Sequence, residues 1–140
     1  MIVTVVPSKY IHEVWQSVVL LLSPAIERAN GRFNADDVLS DLDSGDTSLW
    51  IAADDDGIAA AVCVRIVDYP RRRFARYELV GSKPHTMSGG WESPLLQAIE
   101  DYAKSAMNCD GVEAGGRLGW AKIGSTNGYR VSGVFVEKDI

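Results

Sequence analysis

Long apolar runs are missing from this 140-residue chain. Val18 to Leu22 in the first helix candidate, like Ile58 to Val64, falls far short of the roughly 20 residues a bilayer-crossing helix needs. No charged start followed by an apolar stretch and a small-residue cleavage site is present, so the sequence predicts neither membrane anchoring nor signal-directed secretion. Cysteine is scarce. Cys63 and Cys109 lie far apart without C-x-x-C spacing, which excludes a disulfide framework and predicts two small buried hydrophobes in a reducing compartment. The two histidines, His12 and His85, are isolated, so no metal ligand set is expected. Positive charge is also in deficit: 14 basic against 19 acidic residues give a net charge of -5. That balance argues against nucleic acid or anionic lipid as a general partner and leaves room only for a local basic patch. Repeats, heptads and low-complexity segments are lacking as well.

What is present reads as one globular domain over residues 1–140, with 46% hydrophobic and 24% charged residues. Ile2 to Val6 is a β-branched run stopped by Pro7, which predicts a first strand. Val14, Trp15, Val18, Val19 and Leu22 recur at helical spacing, with a kink or restart at Pro24 and a stop at Gly31. Asn34 with Asp37 three residues on predicts a capped helix carrying Val38, Leu39 and Leu42 and ending at Gly45. Leu49 to Ala53, the turn Asp54 to Gly57, Ile58 to Val67 and Phe74 to Val80 then predict a three-stranded meander. After the polar segment Gly81 to Gly90, Ser93 as cap and Pro94 in first position predict a helix buried through Leu95, Ile99, Tyr102, Ala103 and Ala106. A brief strand at Val112 to Ala114, a helix from Trp120 to Asn127 and a last strand from Val131 to Lys138 complete the order β-αα-βββ-α-β-α-β. The fold class is therefore α/β: a mixed, mostly antiparallel central sheet flanked by helices.

This order, together with Leu49-Trp50, Tyr69-Pro70-Arg71-Arg72-Arg73, Gly116-Arg117-Leu118-Gly119-Trp120 and Gly128-Tyr129, resembles a divergent form of the GCN5-related N-acetyltransferases, of the kind tailed bacteriophages encode. The resemblance covers essentially the whole chain. It implies a fourth strand that parts from the fifth and admits acyl coenzyme A, here acetyl-CoA. The pyrophosphate would meet the loop and helix start over Met87 to Ser93, where free amides and the positive helix end favour an anion.

On the family's phosphate-loop pattern, Gly90 keeps its place, Met87 stands where Arg or Gln is usual, and Glu92 occupies the second small position. Ser88, Gly89, Gly90 and Trp91 are the implied phosphate contacts, and the backbone of Val80 and Gly81 would align the thioester. The bland reading of that loop is a flexible connection before a helix. Strict period-two alternation puts Arg76, Glu78 and Val80 on one face of the fourth strand and Tyr77 with Leu79 on the other. Glu78 is then either the general base or an ion-pair partner of Arg76 or Arg73. The resemblance places the usual tyrosine acid four residues before Gly128, where Gly124 stands; Tyr129 either replaces that acid or packs its ring in the core.

Two functions follow. One is an acyl-CoA dependent N-acyltransferase of a bacteriophage, acting on an amine acceptor. The alternative is a non-catalytic, virion-associated or protein-binding module that docks a phage or host protein through Arg71, Arg72, Arg73, Arg117 and Trp120. The expected location is the host cytoplasm or the virion.

Overall fold

Period-two apolar residues build the strands, and helical stripes of the same residues cover both sheet faces. A computed structural model describes residues 1–84, 90–116 and 118–140. Its elements are β1 (Ile2–Val5), α1 (Ile11–Glu27), α2 (Ala35–Ser44), β2 (Thr47–Asp54), β3 (Gly57–Asp68), β4 (Arg73–Ser82), α3 (Glu92–Ser105), β5 (Gly111–Ala114) and α4 (Leu118–Thr126). The strands form one sheet in the order β1-β2-β3-β4-β5, antiparallel except for the parallel pair β4 and β5.

Local chemistry sets most boundaries. Asn34 and Asp37 make both bonds of a capping box, each 3.0 Å long, and Gly45 closes α2 in the left-handed region at φ 83°. Asp54 accepts the Asp56 amide at 2.8 Å, and Gly57 takes φ 111°, so the acidic turn joins β2 to β3. Helix α1 runs through Pro24 to Glu27 without restarting.

The core lies in two layers. Trp50, Val62, Tyr77, Leu95 and Ile99 fill the face under α3, while Val18, Leu22, Leu42, Leu49 and Leu79 fill the face under α1 and α2. Strand β3 serves both layers. Ala59 through Val64 are all buried, which explains why this strand reads as an unbroken apolar run. Leu22, Leu49, Leu95 and Ile99 are each 0% exposed, and each contributes about 1.5–3 kcal/mol through burial.

Three expectations are corrected. No strand forms over 131–138, where Val134, Phe135 and Val136 stand exposed. The β-branched content of that segment favours extension, but a strand also needs an edge to pair with; instead the Phe135 ring approaches Gly115, and Glu137 binds Arg32 and Asn30. Ser93 does not cap α3, which starts two residues earlier than expected, at Glu92, with Trp91 in the N-cap place and no side-chain cap. Ala106 lies past the end of α3 and is exposed, so its buried stripe is Leu95, Ile99 and Ala103, with Tyr102 half-buried.

The fourth correction concerns alternation in β4. Cys63 pairs with Leu79 but Val64 pairs with Tyr77, so Glu78 is an extra residue on β4, a β-bulge. Two residues there oppose one. Tyr77 and Val80 consequently both face α3, whereas Leu79 faces α1 and α2 together with Glu78.

Candidate active site at a strand fork

Strand β5 pairs with β4 only over Phe74–Tyr77, ending at Ala114. Beyond Tyr77, β4 continues through Glu78–Ser82 without β5 beside it. The pairing stops because β5 itself ends at Ala114, and it stops beside the bulge. Bulges bend the strand that carries them and re-aim a side chain, so the extra residue turns Glu78 to the face shared with Asp41 of α2.

Glu78 is half-buried and ion-paired. Arg65 Nε lies 3.2 Å from its Oε1, and Arg76 Nη1 lies at 4.0 Å. Arg65 also binds Asp41 at 2.9 Å, and Arg76 is held by Glu113 at 3.0 Å. Arg73 takes Asp68 at 3.5 Å, so the pairing of Glu78 with Arg73 does not form. Arg65 and Asp41 escaped the sequence reading, although a guanidinium inside a long apolar strand was a visible signal. Next to Glu78, burial first and the Glu78 charge second push the Cys63 thiol up to about 12. At neutral pH this sulfur is a protonated core group and no nucleophile.

At the vertex on the α3 side sits a second network. Tyr77 and Tyr129 share a 2.7 Å hydrogen bond, and the Tyr129 hydroxyl is 2.6 Å from Glu100 Oε1. Burial raises both tyrosines above the ordinary phenol value, and the neighbouring Tyr77 and Glu100 add to the effect at Tyr129. Tyr129 also packs against the α3-side core, combining an apolar ring with a bonded hydroxyl.

Of the implied coenzyme contacts, Val80 is half-buried under α3, and Gly81 is buried against α1. A Cβ at Gly81 would lie 2.6 Å from the Leu21 carbonyl carbon and closer still to its oxygen. Gly90 is exposed at φ 71° with open space where a Cβ would stand. Trp91 is 2% exposed, so its ring belongs to the core and only its backbone can serve a ligand. Ser88, Gly89 and Arg117 lie outside the described residues. Ser93 Oγ is engaged with Asn127 at 2.8 Å, tying the start of α3 to the end of α4. Glu92 is half-buried at that start.

The arginine turn is only partly paired within the chain. Arg72 stacks on Phe74 at 4.6 Å, Arg73 and Arg76 are paired as above, and Arg71 is exposed. Trp120 is half-buried and packs against the α3-side core. Among the described residues no helix is long and apolar enough to cross a membrane, and no cluster of potential metal ligands occurs.

No protein-family model matches the chain, and no curated protein sequence matches it. Solved structures do. A tetramutant of the BH1408 protein from Bacillus halodurans superposes with a TM-score of 0.76 at 15% identity, covering 100% of both chains. A predicted acetyltransferase from Clostridium acetobutylicum, crystallised with acetyl-CoA, gives 0.73 at 14% identity over 99% of this chain and 95% of that one. A GNAT family acetyltransferase from Staphylococcus aureus gives 0.68 at 14% identity over 99% and 98%. At such identities the likeness establishes the fold alone: this chain has the architecture of the GCN5-related N-acetyltransferases.

Proposed function

We propose that the protein is an acyl-CoA dependent N-acyltransferase whose reaction takes place at the fork between β4 and β5. One observation carries this reading: the only carboxylate on β4 bulges out where β5 stops pairing, so an acid–base group and the end of the β4–β5 ladder fall at one point. The residues around the fork fit a coenzyme with a long flexible arm. Glu78–Ser82 runs on past β5, and Gly90 leaves open space at the approach to α3. Bound there, acyl-CoA supplies an activated acyl group as a thioester.

The chain's own contribution is to hold the acceptor amine and to take its proton. Glu78 accepts that proton, directly or through one water, once its contact with Arg65 at 3.2 Å loosens. Backbone N–H groups of β4 next to the bulge stabilise the oxyanion. Since the Tyr129 hydroxyl is committed to Glu100, the leaving thiolate draws its proton from solvent. Much of the acceleration then comes from positioning.

The same two observations, a bridged Glu78 and a committed Tyr129, favour one rival: a non-catalytic descendant of the fold that binds a protein partner. The bacteriophage setting and the host-cytoplasm or virion location belong to the proposal too, resting on the Tyr69 to Arg73, Gly116 to Trp120 and Gly128-Tyr129 phrases. Mass spectrometry of purified particles tests the virion location. A thiol-release assay with acetyl-CoA and primary amines tests the activity. Turnover that falls about 100-fold or more in Glu78→Gln supports the acyltransferase; absence of turnover with every amine, together with no acetyl-CoA binding, supports the rival.

A further inference from the structure

Val134, Phe135 and Val136 stand together near the end of the chain, each between 85% and 95% exposed, with Val131 exposed just before them. A contiguous apolar stretch in water calls for a cover, and β-branched and aromatic residues are what strands are made of. The molecule also carries a strand edge without a partner. Among the described residues β5 has a neighbour on one side only, β4, and Gly111–Ala114 contains neither the proline nor the lysine that commonly protects such an edge. Between this edge strand and α3 lies a cavity of about 310 Å³, lined by Glu100, Ala103, Lys104, Cys109, Asp110 and Val112 among others.

The arm over 131–136 does not cover its own edge. Its root is fixed where the Tyr129 hydroxyl meets Glu100 at 2.6 Å, and its tip where Asn30 donates to Glu137 at 2.6 Å. Between the two, Phe135 stands by Gly115, just past the last residue of β5. Held at both places, the arm crosses the end of β5 instead of running along it, and its apolar side chains point to solvent.

We infer that the 131–136 arm of one copy adds as a strand to the β5 edge of a second copy, with its apolar side chains in the cavity between β5 and α3, in a reciprocal two-fold exchange. The inference is independent of the acyltransferase reading. Six extended residues span about 20 Å, enough to cover the four of β5. Two-fold symmetry lets each copy give one arm and receive one, which doubles every contact. Phe135 alone buries roughly 150–250 Å². With three valines beside it and both arms counted, the exchange reaches the order of the roughly 1,200 Å² at which stable interfaces begin. Glu100 and Asp110 against the single Lys104 make the cavity acidic, which suits an arm that opens with Arg130. Releasing Glu137 from Arg32 costs little, because that pair is exposed. The exchange joins folded copies and leaves each core as it stands, so dilute monomer melts alike with or without the arm.

Sedimentation equilibrium of the whole chain from about 5 to about 500 μM tests the association, and the expected result is a rise from one chain mass toward two. Val134→Lys combined with Val136→Lys changes only exposed positions, and it raises the dimer Kd about tenfold or more. Alkylation of Cys109 locates the contact, since Cys63 is buried in the core. Its rate falls about tenfold or more as wild type dimerises and stays constant with concentration in the double variant. A wild-type chain that remains monomeric throughout overturns the inference, as does a dimer that survives the double variant or leaves the Cys109 rate unchanged. A monomer whose Cys109 is protected until the two lysines are introduced places the arm on its own edge and overturns the exchange equally.

Discussion

Replacing Gly81 by alanine probes how tightly β4 is laid on α1. The added methyl would sit 2.6 Å from the Leu21 carbonyl carbon and nearer still to its oxygen, and 3.2 Å from the Leu22 nitrogen. All three neighbours are main-chain atoms in the interior of α1, so no flexible side chain can move aside. Overpacking of this kind costs about 1–3 kcal/mol, and a clash with helix backbone belongs at the upper end. With an unfolding entropy of about 0.3 kcal/mol/K for 140 residues, a loss of about 3 kcal/mol lowers Tm by about 10 °C. Differential scanning calorimetry measures it. Gly133→Ala is the matched control, since its Cβ meets nothing within 4 Å and its Tm stays unchanged. A Gly81→Ala protein melting within about 2 °C of wild type would refute the packing account and return Gly81 to a role in ligand contact alone.

Three other outcomes follow from the same geometry. Tyr129→Phe removes the donor to Glu100 and costs about 1.5–3 kcal/mol by urea denaturation, yet leaves acyl transfer within about threefold, because the hydroxyl is already committed; a collapse of turnover with intact stability would make Tyr129 the acid. The contribution of Cys63 to stability is complete below pH 9 and is lost as pH rises toward about 12, since the unfolded thiol ionises near its ordinary value of 9.0 while the folded one stays neutral, and the buried tyrosines act in the same direction. Urea midpoints at pH 8 and 10.5 check this, and equal values contradict it. Deleting residues 131–140 shifts Tm by less than about 3 °C, because the segment is exposed and its main tie is the surface pair of Glu137 with Arg32; a large loss would mean that the segment covers apolar surface in solution.

Features written in neighbouring residues were legible in the sequence. The Asn34 and Asp37 box, the Gly45 stop, the Asp54 to Gly57 turn and the meander β2-β3-β4 are each set by chemistry within a few positions. What escaped depends on distant partners. The face of Glu78 cannot be read from β4 alone, because the bulge exists only as a two-against-one register with Cys63 and Val64. Thr47, Asp41 and Arg65 come from three different elements, and only the packing of α2 over the sheet makes them neighbours of Glu78. Residues 131–138 have strand composition without a strand edge to receive them, and Ser93 has cap chemistry but bonds Asn127 instead. Site residues on β4 were thus found by their position in a resemblance, while the polar cavity beside them required the fold.

The central claim is that the opening beside Glu78 receives an acyl-CoA, and hydrogen exchange of the backbone with and without acetyl-CoA tests it most directly. The account predicts slowed exchange confined to 78–82 and the first turn of α3, with a global stabilisation of about 2.7 kcal/mol at ligand near 100 times Kd. Unchanged exchange along 78–82 at saturating acetyl-CoA, or protection elsewhere only, contradicts it.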